Sequence, residues 1–375
     1  MYECPKCKNK DTKYLATLNN RIYCRKCINF NGKMSFNDIV SDNQTLALDF
    51  SLTDKQKEIS KKITSAINNK KNVFLYAVTG AGKTELVYEA MLNVLKNKGK
   101  VGFTVPRKDV VIDLYPRIKN AFKNSKVVAL YGGNTSNLTG DIIILTTHQL
   151  YRFENYFDLL VFDEIDAFPY KGNDVLISFF SKSVKGNYVL MSATPDEEKV
   201  NEVISSNGIY LSLTRRYHGV DLPLPKIELT MFSMIPLLIN HLKRFIKENK
   251  RAFVFVPTIE EGEKLFRIIK LFFKNCEYVY SYKKERNVII SDFKNGKYDF
   301  LITTSILERG VTVSSLQVIV YRADHEIFDS ASLIQISGRV GRKINSPYGE
   351  VIFLANKNTS EMELAINKIK EANNG

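Results

Sequence analysis

The sequence predicts an α/β protein of two tandem parallel-sheet lobes behind a small four-cysteine module. Three observations carry this. Short apolar runs alternate with amphipathic helical stretches from about residue 50 to 213, and again after residue 226. That is the pattern of βαβ units whose strands are buried on both faces. A Pro-containing connector, Arg215-Arg216-Tyr217-His218-Gly219-Val220-Asp221-Leu222-Pro223-Leu224-Pro225, separates the two stretches. Residues 1–40 hold four of the five cysteines and little apolar periodicity. The expected division is therefore 1–40 for the module, 41–213 for the first lobe, 214–226 for the connector and 227–375 for the second lobe.

In the module, Cys4-x2-Cys7 and Cys24-x2-Cys27 form two knuckles 16 residues apart. Paired knuckles at such spacing place four sulfurs around one tetrahedral ion, and zinc is the ion expected. Four thiolates leave no open coordination position, so the site reads as structural. Residues 1–40 carry eight Lys/Arg against three Asp/Glu, basic by five before the thiolates are counted. Cys276, alone in an apolar stretch, reads as a core residue. His148, His218, His241 and His325 show no metal spacing.

In the first lobe, strands are expected over 73–77, 101–105, 142–145, 159–162 and 188–191, with a helix over 85–96. The strand at 73–77 runs into Ala77-Val78-Thr79-Gly80-Ala81-Gly82-Lys83-Thr84 and then that helix. Strand, glycine-containing loop and helix make the context of a phosphate-binding loop. Thr79, Gly80, Ala81 and Gly82 would turn backbone N–H groups toward phosphate oxygens, at a helix N-terminus that favours anions. Lys83 would reach the β- and γ-phosphates and Thr84 would ligate Mg²⁺. Ala77 stands where the strict motif has its first glycine. About one helix upstream, Gln56 in Thr53-Asp54-Lys55-Gln56 carries the donor and acceptor that reading an adenine edge requires; a Gln after a helix-capping Thr is the competing reading.

The strand at 159–162 ends in Asp163-Glu164-Ile165-Asp166. Carboxylates at the C-terminal ends of parallel strands lie where nucleotide phosphates bind in open α/β sheets. Asp163 is assigned to Mg²⁺ and Glu164 to polarising the attacking water. An acidic quartet alone would read as a solvated turn; about 80 residues after a phosphate loop it reads as the second half of an ATPase site. Ser192-Ala193-Thr194 follows the next strand; alone it would read as helix-capping chemistry, but in third place after these motifs it is similar to the segment through which helicases couple ATP state to lobe movement.

In the second lobe, strands are expected over 252–256, 278–280, 300–303, 318–321 and 351–354, with a helix over 260–273. Gln335-Ile336-Ser337-Gly338-Arg339-Val340-Gly341-Arg342 places two arginines three apart, on one face if the segment is helical. Guanidinium groups suit the spread charge of a transferring phosphoryl group. Arg339 and Arg342 are assigned to it, with Gln335 placing the water or the γ-phosphate; a salt-bridged surface helix is the competing reading. Phe300-Leu301-Ile302-Thr303-Thr304 leads into Arg309-Gly310, a strand, a polar turn and a basic residue before Gly; this resembles helicase motif V, which implies backbone amides and hydroxyls that contact a nucleic-acid phosphate.

The formal net charge of +14 favours a polyanionic partner. The N-terminus lacks a signal-peptide apolar region, and no apolar run approaches the roughly 18–20 residues of a membrane helix. The expected location is cytoplasmic, where cysteines stay reduced.

Together these motifs resemble those of the superfamily 2 helicases, which tolerate Ala at the position of Ala77. More narrowly, the Thr146-Thr147-His148-Gln149-Leu150, Asp163-Glu164-Ile165-Asp166-Ala167-Phe168-Pro169-Tyr170, Arg216-Tyr217-His218 and Ile306-Leu307-Glu308-Arg309-Gly310-Val311-Thr312 segments are similar to those of the ComFA family of competence helicases. Where superfamily helicases carry an Asp two residues after Gly310, this chain has Thr312. The resemblance implies two RecA-like lobes and an ATP hydrolase that drives single-stranded DNA through a membrane channel during natural transformation. It further implies a membrane DNA channel and a phosphoribosyltransferase-like competence protein as partners, at the inner face of the membrane, with oligomer formation left open. Candidate DNA grips are Arg107, Gly132, Gly133, Thr147, Thr304 and Arg309, although Gly and Thr at strand ends are more often loop chemistry. Two other readings stay open: a DNA-unwinding helicase of replication restart or repair, and a nucleic-acid-binding scaffold with a dormant ATPase.

Overall fold

The computed structural model describes residues 2–36, 38–167, 169–170, 172–194, 196–304 and 313–374. The chain divides into two compact units, Met1–Ala77 with Gly82–Leu213, and Val78–Ala81 with Thr214–Gly375.

The first unit opens on an antiparallel hairpin, β1 (Leu15–Leu18) and β2 (Arg21–Cys24), between the two cysteine knuckles. Its turn residues Asn19 and Asn20 both take positive φ, +48° and +58°, which Asn tolerates and which matches the twist of paired strands. The main sheet of this unit follows. Its strands are β3 (Val73–Ala77), β4 (Val101–Val105), β5 (Val127–Leu130), β6 (Ile142–Thr146), β7 (Phe157–Asp163), β8 (Val184–Ser192) and β9 (Ile209–Leu213). They lie in the order β5-β6-β4-β7-β8-β3-β9, each neighbouring pair parallel. The interior strands β4 and β6 are buried at every residue, as continuous apolar runs between two helical layers must be.

Helices fill the crossovers. α1 (Asp54–Asn68) begins on a capping box, in which Thr53 accepts the Gln56 N–H while Gln56 Oε1 accepts the Thr53 N–H at 2.9 Å. The stretch expected as one helix over 85–96 is two, α2 (Lys83–Leu86) and α3 (Tyr88–Lys96), with Val87 in a turn at φ −94°, ψ −7°. No Gly or Pro announces that break. α4 (Lys108–Ala121), α5 (Asp174–Ser183) and α6 (Glu197–Ser205) complete the unit; Asn173 and Asp196 cap the last two with their side chains.

The second unit repeats the design. β10 (Lys226–Leu229), β11 (Arg251–Phe255), β12 (Cys276–Val279), β13 (Phe300–Thr303), β14 (Leu316–Tyr321) and β15 (Val351–Ala355) form a parallel sheet in the order β10-β15-β14-β11-β13-β12. Its helices are α7 (Ile235–Lys247), α8 (Ile259–Ile269), α9 (Arg286–Lys294), α10 (Ser330–Ser337) and α11 (Ser360–Asn374). α8 stops at Ile269, four residues short of the expected end, and Leu271 and Phe272 beyond it are exposed. Cys276 is fully buried, in place as a core residue. Among the described residues no helix is long and apolar enough to cross a membrane.

Candidate functional site

The first unit gathers its chemistry at the C-terminal ends of β3, β7 and β8. β3 ends at Ala77, and the loop that follows holds Gly80 at φ +84° and Gly82 at φ +77°. The positive φ favours glycine at the latter, and a Cβ there would lie 2.7 Å from Gln56 Nε2. That contact also sets Gln56 against the loop; its Oε1 is engaged by the capping box, and the residue is buried. Lys83 opens α2, with Nζ 3.7 Å from Asp163 Oδ1 at the end of β7. Thr84 beside it is buried.

Asp163 Oδ1 also accepts the Glu164 N–H at 2.9 Å, and Glu164 stands at φ +62°. A non-glycine residue in the left-handed region persists only where its surroundings hold it, and such strain gathers at functional sites. Asp166, two residues on, accepts Ser192 Oγ at 3.1 Å and Thr194 Oγ1 at 3.0 Å. The quartet after β7 and the Ser-Ala-Thr after β8 are thus one hydrogen-bonded assembly. Sequence reasoning gave Asp166 no role, and only the register of β7 beside β8 joins the two segments.

In the second unit, Gln335 lies in α10 and is buried. The helix ends at Ser337, with Gly338 as its cap. Arg339 and Arg342 therefore do not share a helical face; they sit on a turn past the helix end. Arg339 is 1% exposed, whereas Arg342 is half-buried with Nε donating to the Gly338 carbonyl at 3.0 Å. Gly341, at φ +69°, lies in the turn past the helix, where a Cβ would lie 2.2 Å from the Pro347 carbonyl oxygen.

Most of the expected nucleic-acid contacts in the first unit follow the C-terminal ends of three neighbouring parallel strands, Arg107 after β4, Gly132 and Gly133 after β5 and Thr147 after β6. Arg107 stands at the N-cap of α4, and Gly132 and Gly133 form the tip of a turn closed by mutual Tyr131–Asn134 backbone bonds of 3.3 and 2.8 Å. Thr147 is fully buried at the start of a 3₁₀ helix (Thr147–Arg152), a placement that hides its hydroxyl; its neighbour His148 is exposed. Thr304 follows β13 and is half-buried. Arg309, with the rest of residues 305–312, lies outside the described residues.

In the module the four cysteines are buried, none is in a disulfide, and their sulfurs lie within 4.8 Å of one another. A tetrahedral zinc with Zn–S of about 2.3 Å needs sulfur–sulfur edges of roughly 3.8 Å. Cys4–Cys27 and Cys7–Cys24 stand at 3.6 and 3.7 Å, so the cluster fits that ion. Burial pushes the Cys7 thiol up to about 11 and raises that of Cys27; a coordinated dication reverses this by deprotonating its ligands. The module packs firmly on the first unit. Phe30 inserts edge-on against Phe179 and Tyr151, at centroid distances of 4.9 and 5.5 Å. Arg152 Nη1 donates to the Lys33 carbonyl and Ser35 N–H to the Arg152 carbonyl, both at 2.7 Å.

Two family models match the chain: "Type III restriction enzyme, res subunit" over 49–197 and "Helicase conserved C-terminal domain" over 235–343. With two parallel-sheet lobes and an ordered phosphate loop, these define a superfamily 2 helicase-type enzyme, an ATP hydrolase that works on nucleic acid. Among curated relatives, the competence protein ComFA of Bacillus subtilis is 32% identical over 99% of this chain and 86% of that protein. ComFA of Streptococcus pneumoniae is 35% identical over 86% and 77%. This chain belongs to the ComFA family. The DNA helicase RecG of Thermotoga maritima is 26% identical over 79% of this chain and 41% of that protein. Among solved structures, Mss116p bound to ssRNA and AMP-PNP has a TM-score of 0.67 at 20% identity, covering 86% of this chain and 73% of the other. RecG bound to a three-way DNA junction gives 0.61 at 19%, covering 89% and 48%.

Proposed function

We propose that the protein is a single-stranded DNA translocase whose DNA-stimulated ATPase drives uptake in natural transformation. Membership of the ComFA family carries this reading, and the pairing of Lys83 with Asp163 supports an intact hydrolytic site. In it, residues 79–82 cradle the phosphates, Lys83 neutralises them and Gln56 faces the adenine. The Thr84 hydroxyl and Asp163 carboxylate, both hard oxygen donors, would hold Mg²⁺, which supplies charge neutralisation at the phosphates. Glu164 polarises the attacking water; Gln335, Arg339 and Arg342 serve the γ-phosphoryl group. Cys4, Cys7, Cys24 and Cys27 hold a structural zinc. Arg107, Gly132, Gly133, Thr304 and Arg309 are the remaining candidates for DNA contact, with Thr147 acting from beneath the surface. The boundaries 1–40, 41–213, 214–226 and 227–375 serve as the working division of the chain.

The setting is the inner face of the membrane, beside a DNA channel and a phosphoribosyltransferase-like competence protein. Displacement of streptavidin from biotinylated single strands, with transformation frequency in a host carrying Lys83→Ala, tests the proposal. Displacement by the wild type and loss of transformation in the variant are expected. Unwinding of duplexes without single-strand translocation would favour the alternative of a repair or restart helicase, to which the RecG relative points.

A further inference from the structure

The connector contributes a feature that the motor motifs do not account for. Arg216 is 3% exposed. Its Nη1 donates to the carbonyls of Val340 at 2.8 Å and Gly341 at 3.0 Å, and its Nη2 to that of Gly338 at 3.3 Å. Tyr217 Oη donates to the Arg342 carbonyl at 3.2 Å. His218 Nδ1 accepts the Val220 N–H at 3.2 Å, which leaves Nε2 as the donor to the Gly341 carbonyl at 2.9 Å. Three consecutive side chains thus serve four of the five carbonyls between Gly338 and Arg342.

Those carbonyls need such partners. The segment has left α10 and joins no strand, so neither ladder supplies donors; the Gly338, Val340 and Gly341 carbonyls take buried bonds from Arg216, where a missing donor is costly, while the Tyr217 bond to the Arg342 carbonyl is exposed. A guanidinium, with its fixed fork of N–H groups, serves several acceptors at once, as an ammonium does not. Its charge is the unexpected part. Burial, and then the Arg342 guanidinium nearby, push Arg216 down to about 10. A connector that only joined two lobes would not bury a cation beside another one. The Pro347 carbonyl lies against the same side of Gly341 as the Arg216 fork, so the backbone bearing Arg339 and Arg342 packs on both.

We infer that Arg216, helped by Tyr217 and His218, is a positioning residue for ATP hydrolysis: it fixes the Gly338–Arg342 backbone so that Arg339 and Arg342 keep the orientation their work on the phosphoryl group needs. The inference rests on the reading of Arg339 and Arg342 as the groups that stabilise the transferring phosphoryl.

Steady-state ATP hydrolysis and nucleotide binding, measured on the full-length zinc-loaded protein with single-stranded DNA, separate the two. Arg342→Ala should lower kcat by about 10³-fold or more if the arginine reading holds. Arg216→Lys keeps the charge and loses the fork, together with the Nε–H bond to the Thr79 carbonyl at 3.2 Å; it should lower kcat by roughly 10- to 100-fold while KM for ATP and the affinity for ADP, which that one bond can shift, move less than kcat does. The double variant Tyr217→Phe, His218→Phe leaves Arg216 in place and should lower kcat by about three- to tenfold with binding unchanged, by removing two hydrogen bonds. It serves as the test should Arg216→Lys fail to fold. An inactive Arg342→Ala beside a wild-type kcat in the connector variants overturns the positioning role. A fall in nucleotide affinity equal to the fall in kcat overturns it too. An active Arg342→Ala instead overturns the reading of the arginines.

Discussion

The two candidate regions, around Lys83 and around Arg339 and Arg342, are supported in opposite ways. Around Lys83, the candidate side chains stand at or just past the ends of β3, β7 and β8: the loop after β3 and the start of α2 carry Lys83 to Asp163, and the pairing of β7 with β8 brings Asp166 to Ser192 and Thr194. Around Arg339 and Arg342 the chain has left its helix, and its backbone is held by side chains of a connector more than 110 residues earlier in sequence. A sheet supplies hydrogen-bond partners for whatever sits on its rim; a turn beyond a helix must import them. Substitutions in the first region should therefore act through chemistry, and those in the second through geometry.

The largest expected effect is that of Lys83→Ala. Removing the ammonium beside Asp163 should lower ATP turnover by about 10²–10³-fold or more, while DNA binding, measured by fluorescence anisotropy, persists. Wild-type turnover in that variant would remove the first region from the chemistry. Next comes the module, where four buried cysteines gather as candidate metal ligands. Cys4→Ser with Cys7→Ser should abolish bound zinc, since such sites supply roughly 10–16 kcal/mol of apparent binding energy; elemental analysis showing one zinc per chain in the double variant rules the site out.

Gly341→Ala probes geometry in the second region. It forces a Cβ into the left-handed region at φ +69° and against the Pro347 carbonyl. A loss of about 2 kcal/mol or more is expected, read as a fall of several degrees in the thermal midpoint. An unchanged midpoint would mean that the turn is not held as described. Smallest is Thr194→Val, which deletes one hydrogen bond to Asp166 and keeps the shape. A change of about 1 kcal/mol should appear as a few-fold drop in DNA stimulation of the ATPase, with basal turnover less affected. An equal drop in both would assign the Asp166 assembly to hydrolysis itself rather than to its coupling with DNA.

What the sequence made legible follows burial. The interior strands of both sheets, such as β4, β6 and β14, are continuous apolar runs and stand out from their surroundings. The strands that sequence reasoning missed, β5, β9 and β10, lie at sheet edges. β9 and β10 are half-exposed and mixed in polarity, so they look like loops until a neighbour is known; β5 is apolar but only four residues long. The short hairpin of the module escaped for the same reason. The candidate site divides likewise. Lys83, Asp163 and the four cysteines were legible because their chemistry dictates local spacing. The Asp166 hydrogen bonds, the non-helical setting of Arg339 and Arg342, and the connector fork were not, because each joins segments far apart in sequence.

The most direct test of the central claim is ATP hydrolysis by the wild type with no nucleic acid, single-stranded DNA, duplex DNA or RNA, at two salt concentrations because backbone contacts weaken with salt. The account predicts strong stimulation by single-stranded DNA that falls as salt rises. Stimulation by duplex or RNA alone, or no hydrolysis under any condition, would contradict it.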